Sequence, residues 1–249
     1  MFRDLIDDFD NYSSQSGMFL DVPFVPSDDA VVSAMLGLAK IGSEDILYDL
    51  GAGDGRIVVA AAREYHCRSV GVEIDPLRIA DAMEYAGDAG VEYLVDFIEG
   101  DIFTAEFSEA TVVTLYLLDS INLQLRPRLL AELRPGSRIV SHAFSMGDWK
   151  ADEVLEVGGI KIYKWVVPAK VAGTWEWEAV DGTLVRAELT QKFQKVTARA
   201  WMNGRPAKVR HTRLHGSLLE LDLHPPTGLI GFNLHFTGDQ LSTVEEIRE

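Results

Sequence analysis

The run Leu47-Tyr48-Asp49-Leu50-Gly51-Ala52-Gly53-Asp54-Gly55-Arg56 decides how this chain folds, and Val70-Gly71-Val72-Glu73-Ile74-Asp75 completes the unit. Each begins as a short apolar strand that runs onto an acidic side chain. After the first strand comes a glycine turn, which lets a ligand approach the backbone at the carboxyl edge of a sheet. A helix with Ile57, Val58, Ala61 and Ala62 in phase follows the turn. The second strand, 69–74, leads into a helix opened by Pro76, a residue suited to a first turn. Farther out, a third strand ends at Gly100-Asp101 and a fourth covers 111–117. A leucine-rich helix stopped by Pro135-Gly136 then precedes a fifth strand, 138–141. Upstream, Ser27 offers a hydroxyl cap, with Asp28 and Asp29 as first-turn acids, for a helix carrying Val31, Met35, Leu36 and Leu38. Short apolar runs alternating with helical ones predict an α/β fold: a Rossmann-like doubly wound, mostly parallel sheet covered on both faces.

Past one more strand, 161–167, closed by Pro168, the period changes to two. Segments 175–178, 184–193, 196–202, 218–223 and 229–236 read as strands joined at Asp181-Gly182, Asn203-Gly204 and Pro225-Pro226. A helix is expected only at 242–249. The chain therefore divides, on this reading, into residues 1–168 and a small C-terminal antiparallel β domain, 169–249. Its 249 residues, 47% hydrophobic and 25% charged, suit one large or two modest globular domains and exclude a disordered chain. Net charge is −16 and unevenly spread. Residues 1–150 hold 11 Lys and Arg against 26 Asp and Glu, whereas residues 151–249 hold 12 against 13. An acidic surface repels phosphate backbones, so a nucleic-acid partner is not expected and a cationic one is favoured. The acid also serves plain solubility.

The longest apolar run, 112–118, falls far short of the ~20 residues that cross a bilayer, so no membrane insertion is expected. The acidic opening MFRDLIDDFD lacks the layout of a secretory signal, and Cys67 is the single cysteine. Both point to the cytoplasm. Six histidines without ligand spacing predict no metal site. The sequence does not specify the oligomeric state.

Two nucleotide ligands compete for the glycine turn. A dinucleotide site wants a third glycine where Arg56 stands, and it puts pyrophosphate on the helix N-terminus, where Asp49 and Asp54 would repel it. S-adenosylmethionine reverses the sign, because it carries an ammonium and a sulfonium and no phosphate. Asp49 can accept from the ammonium, and the backbone of Gly51, Ala52, Gly53 and Gly55 can meet the carboxylate. Glu73 can take both ribose hydroxyls and Ile74 can pack on adenine. Asp101, with Ile102 beside it, can accept from the adenine amine. The bland alternative makes the glycines mere turn residues and Glu73 a solvated strand end.

The stretches DLGAGDGR, VGVEIDP and EGD resemble the class I S-adenosylmethionine-dependent methyltransferases over roughly residues 20–168. VPFVPS, VVTLYLLDSINLQLRPRLLAEL and RPGSRIVSHAFSMGDW are similar to the seven-strand protein-lysine methyltransferases related to the mitochondrial ATP-synthase c-subunit enzyme and its prokaryotic relatives. The resemblance implies that Phe24, Val25 and Pro26 form a lid over the methionine end of the cofactor. Tyrosine often stands at the Phe24 position in those proteins. It also bears on the fourth strand, where methyltransferases of nucleobases and amides carry an Asp/Asn-Pro-Pro-aromatic turn. Leu115-Tyr116-Leu117-Leu118 stands there instead, an apolar rim with one hydroxyl that suits an aliphatic amine.

The expected activity is accordingly methylation of a lysine side chain in a protein that presents a basic segment. Tyr116 and Asp119 are the candidates for orienting the amine. Tyr116 reads equally well as a strand-end aromatic packed on a helix, and His142 more readily as a structural residue than as part of the acceptor pocket. Two other readings stay open: a small-molecule N- or O-methyltransferase, and an assembly module that binds the cofactor without turnover.

Overall fold

The computed structural model describes residues 25–225 and 228–248. Two compact units emerge, one comprising the described residues up to Leu133 with Arg138–Trp165, the other Arg134–Ser137 with Val166 onward.

In the first unit, β1 (Ile46–Leu50), β2 (Arg68–Glu73), β3 (Val95–Glu99), β4 (Val112–Leu115) and β5 (Arg138–His142) are parallel neighbours in the order β3-β2-β1-β4-β5. The helices α1 (Asp29–Ala39), α2 (Arg56–Tyr65), α3 (Pro76–Asp88) and α4 (Asp119–Glu132) alternate with them. Strands β6 (Glu153–Val157) and β7 (Ile160–Val166) form an antiparallel hairpin that joins the sheet through β7. Strand β7 runs antiparallel to β5: Ala143 donates to the Lys161 carbonyl after one end of β5, and Val167 to the Ser137 carbonyl before the other. The doubly wound, mostly parallel sheet is as expected. Val58, Ala61, Leu47, Val112 and Met35 lie in one buried cluster between this sheet and its helices.

Local chemistry accounts for the helix starts. Asp75 caps α3 by accepting from the Leu77 amide at 3.0 Å, with Pro76 in the first turn. The cap of α1 is Asp28, which accepts from Ala30 at 2.9 Å, and not Ser27; the serine hydroxyl is engaged elsewhere. Gly55 precedes α2 with φ +76 and no side-chain cap.

The second unit is a sheet of seven antiparallel strands: β8 (Gly173–Glu178), β9 (Leu184–Lys192), β10 (Lys195–Met202), β11 (Arg205–His215), β12 (Leu218–His224), β13 (Ile230–Thr237) and β14 (Gln240–Arg248). Every strand pairs with its neighbour in sequence. Leu189, Leu219, Leu221 and Leu234 fill the core, while Trp175 meets Phe236 edge-on at 5.1 Å and Trp177 meets Phe232 at 5.3 Å.

One expectation is corrected, and two strands join those expected. The C-terminal helix is strand β14. A bulge opposite His235 and Phe236 absorbs one residue, so that Leu241 and Val244 both face the core three positions apart, a spacing that mimics a helix. Strand β11 escaped notice for a related reason: Pro206 and a bulge between Val209 and His211 break its alternation. Strand β6 reads EVLEV and is almost wholly exposed, so it carries no buried stripe to find.

One glycine shows how tightly the glycine turn is packed. A Cβ on Gly71 of β2 would stand 2.8 Å from the Phe97 ring and 2.9 Å from the Ala52 methyl. Gly71→Ala is expected to lower stability by about 1–3 kcal/mol through overpacking. Thermal unfolding checks it, and an unchanged midpoint would show that β3 gives way freely.

Candidate active site

Four strand ends converge on one cleft of about 190 Å³. Strand β1 delivers Asp49, β2 delivers Glu73, the turn after β3 delivers Asp101, and the turn after β4 delivers Tyr116. Because β4 stops at Leu115 and not at the expected Leu117, Tyr116 and Leu117 leave the ladder and line the cavity.

Asp49 is buried, its Oδ1 accepting from the Thr114 hydroxyl at 2.7 Å across the β1–β4 pair. Burial raises its carboxyl to about 7; the Thr114 bond opposes that shift, and the nearby Glu73 and Asp54 charges add to it. Among the described residues no cation pairs with Asp49, so its negative form is the place where a ligand cation gains most. Glu73 is already furnished with donors: Oε2 accepts from Gly53 at 2.8 Å, and Oε1 from Ile74 at 2.9 Å and Asp75 at 3.0 Å. Asp101 Oδ1 takes the Phe103 amide at 2.8 Å. Ile74, 42% exposed, and Ile102 give the cleft an apolar flank suited to a flat heterocycle.

The turn itself differs from expectation in one respect. Gly51, Ala52 and Gly53 line the cavity, but their amides are engaged within the fold. Gly51 and Ala52 both donate to the Val72 carbonyl, Gly53 to Glu73, and Gly55 to the Ala52 carbonyl. Gly55 lies outside the lining, beneath the turn, where an added Cβ would meet Ala82 and Phe97 at 2.9 Å. The arginines of the wall, Arg56 and Arg78, are themselves paired, Arg56 with Asp54 and Arg78 with Asp81 at 3.0 Å.

Sequence reasoning overlooked two residues. Arg56, at the position where a dinucleotide fold wants glycine, pairs with Asp54 at 2.5 Å and donates through Nη1 to the Ser27 carbonyl. Ser27 is buried, and its hydroxyl lies 3.0 Å from His142 Nδ1. An arginine replacing a loop glycine was the available signal, since such a side chain must find partners nearby.

Val25 lines the cavity; Phe24 lies outside the described residues. Tyr116 stacks on His142, centroids 3.6 Å apart and planes 16° from parallel, with Phe144 at 6.3 Å. Burial raises the Tyr116 phenol, which stays protonated, and lowers His142 to about 4, which leaves the imidazole neutral. His142 thus sits behind Tyr116 as a buried support. Asp119 is not in the cavity lining: as the first residue of α4 it accepts from the Ser145 amide at 2.8 Å and hydroxyl at 3.1 Å, holding the loop after β5. Asn122 holds the same loop through Ser141 Oγ and the Phe144 and Ser145 carbonyls, across a bend where Ala143 has φ +63. Among the described residues no group of His, Cys, Asp and Glu could hold a metal ion, and no helix is long and apolar enough to cross a membrane.

The comparisons with known proteins agree with this geometry. A family model described as the ANTKMT methyltransferase domain matches residues 49–153. A protein-lysine N-methyltransferase of Saccharolobus islandicus is 44% identical over 137 residues, 55% of this chain and 85% of that protein. An adenine nucleotide translocase lysine N-methyltransferase of Mus musculus is 30% identical over 148 residues, 59% of this chain and 64% of that one. Among solved structures, an RNA methyltransferase from Salinibacter ruber in complex with S-adenosyl-L-homocysteine is 50% identical with a TM-score of 0.58. It covers 59% of this chain and 96% of its own.

Proposed function

Since the chain belongs to the class I S-adenosylmethionine-dependent methyltransferases, we propose that it methylates the side-chain amine of lysine in a protein carrying a basic segment. The observation that carries this reading is the cleft's pairing of a buried carboxyl, Asp49, to which no cation among the described residues pairs, with an acceptor rim formed by Tyr116 and Leu117. The Salinibacter ruber protein is named an RNA methyltransferase; a nucleobase amine as acceptor wants polar acceptors for a planar group at this rim. The acid of residues 1–150 also opposes a phosphate backbone.

The donor fits the residues present. Asp49 would hold its ammonium, Glu73 its ribose hydroxyls, Ile74 and Ile102 the adenine faces, and Asp101 the adenine amine. Its carboxylate would draw on Arg56, whose guanidinium the site shares with Asp54. When bound, it supplies an electrophilic methyl on a positively charged sulfur. The protein's part is to deliver a neutral amine. Lysine titrates near ~10.4, so at pH 7 deprotonation costs roughly 4.6 kcal/mol. An apolar rim lowers that cost by disfavouring the charged form. Tyr116, its phenol protonated, accepts from an amine N–H and aims the lone pair, and alignment then does most of the work. Asp119 contributes by fixing the loop that carries Phe144. The reading includes a cytoplasmic setting, a cofactor domain of residues 1–168 and a small β domain of residues 169–249.

Incubation with methyl-labelled cofactor and a bacterial lysate tests the reading: label is expected in a protein band as N-methyl-lysine. Label confined to small molecules or RNA would overturn it. Within the same assay, Tyr116→Phe is expected to slow transfer about tenfold, the worth of one hydrogen bond of ~1.4 kcal/mol, with cofactor affinity kept. Unchanged transfer would remove the Tyr116 hydroxyl from the mechanism.

A further inference from the structure

His142 touches nothing in the cleft, yet it meets two parts of its wall. Its ring face lies against Tyr116 at 3.6 Å, and its Nδ1 is 3.0 Å from the hydroxyl of Ser27. Ser27 in turn belongs to the Val25–Ser27 segment that lines the cofactor cavity, and its carbonyl is held by Arg56. Both His142 and Ser27 are 3% exposed, so water does not substitute for either partner. One imidazole thus joins the segment beside the cofactor to the aromatic ring at the acceptor rim. The bond forms with either tautomer, because a bare Nδ1 accepts from the serine hydroxyl and an Nδ1–H donates to the serine oxygen.

We infer that His142 is a positioning residue that couples cofactor retention to acceptor geometry: its edge secures the Val25–Ser27 segment, and its face fixes the plane of Tyr116. The second half rests on the acceptor role given to Tyr116 above; the first does not.

The two halves separate by substitution. His142→Phe keeps a stacking ring and loses the bond to Ser27. His142→Asn keeps a polar atom near the place of Nδ1 and loses the ring. Affinity for S-adenosylhomocysteine, measured by calorimetry on the full chain, is expected to fall about tenfold in His142→Phe and in Ser27→Ala. In the double variant it should fall no further, since both substitutions remove one shared bond. His142→Asn should restore affinity to within about twofold of the native chain, and should slow label transfer to lysate protein about tenfold at saturating cofactor. Losses that multiply in the double variant, or His142→Phe and His142→Asn reducing affinity alike, would overturn the coupling and leave His142 a packing residue. Should His142→Asn fail to fold, the Ser27 and His142→Phe cycle decides alone. A native chain that binds S-adenosylhomocysteine but labels no protein counts against lysine transfer, and the calorimetric cycle still decides the clamp.

Discussion

Affinity for S-adenosylhomocysteine is expected to rise about tenfold per pH unit between pH 5.5 and 7 and then level off, because Asp49 must ionise before it can meet the ligand ammonium. The sign follows from the site. Burial lifts the free carboxyl to about 7, and a cation binds only its charged form. Below that value binding must expel a proton, so calorimetry in buffers of different ionisation enthalpy should register proton release at pH 6 and little at pH 8. Stability of the cofactor-free chain runs the other way. The unfolded carboxyl ionises near ~3.9, so between about pH 4 and 7 the folded state binds more protons than the unfolded one and loses stability as pH rises. Asp49→Asn removes both dependences. Its cofactor affinity should drop about thirtyfold or more, the ~2–5 kcal/mol of an ammonium left without its charge partner, while its melting temperature at pH 8 holds or increases. Equal binding of the ligand at pH 5.5 and 7.5 by the native chain would show that Asp49 does not face the ammonium.

Glu73→Ala should be comparably severe, for a different reason. Its carboxylate accepts three backbone amides, so it both builds the glycine turn and stands ready for the ribose. Removing it leaves those amides without their acceptor, at roughly 1.5–3 kcal/mol for a charged hydrogen-bonding group, and takes away the diol contact. We expect a lower melting temperature together with cofactor affinity reduced by about a hundredfold or more. Glu73→Gln separates the contributions. It keeps one acceptor oxygen but turns an NH₂ toward one of its donors, and it should fold while binding the cofactor at least about tenfold more weakly. Native affinity in Glu73→Gln would assign the residue to the turn and not to the ligand.

How much of this was legible in the sequence depended on whether the signal was local. The inner strands β1, β2, β4 and β5 declared themselves because a sheet buried on both faces needs largely apolar residues, and Asp49 and Glu73 were readable as acids at strand ends. The edge strand β6, with four of its five residues exposed, had no such requirement to betray it. Bulges in β11 and β14 shifted the phase of alternation, once hiding a strand and once imitating a helix. The site was half legible for the same reason. Residue types gave the acids and the hydroxyl, but nothing local says that Arg56 reaches back 29 positions to Ser27, or that His142 lies 115 positions from the serine it bonds. The engagement of the Gly51 and Ala52 amides with Val72 was equally invisible, since a glycine turn looks the same whether its donors face a ligand or the next strand.

The two sheets also differ in what they ask of a growing chain. Strand β1 cannot acquire its second neighbour until β4 has been made, with Asp49 and Thr114 65 positions apart, so the cofactor edge waits on a long loop closure. In the meander β8–β14 each strand finds its partner in the one just synthesised. Emerging from the ribosome, the first unit passes through a stage in which a hydrophobic central strand lacks one flank, the kind of species that chaperones hold, whereas the second assembles hairpin by hairpin.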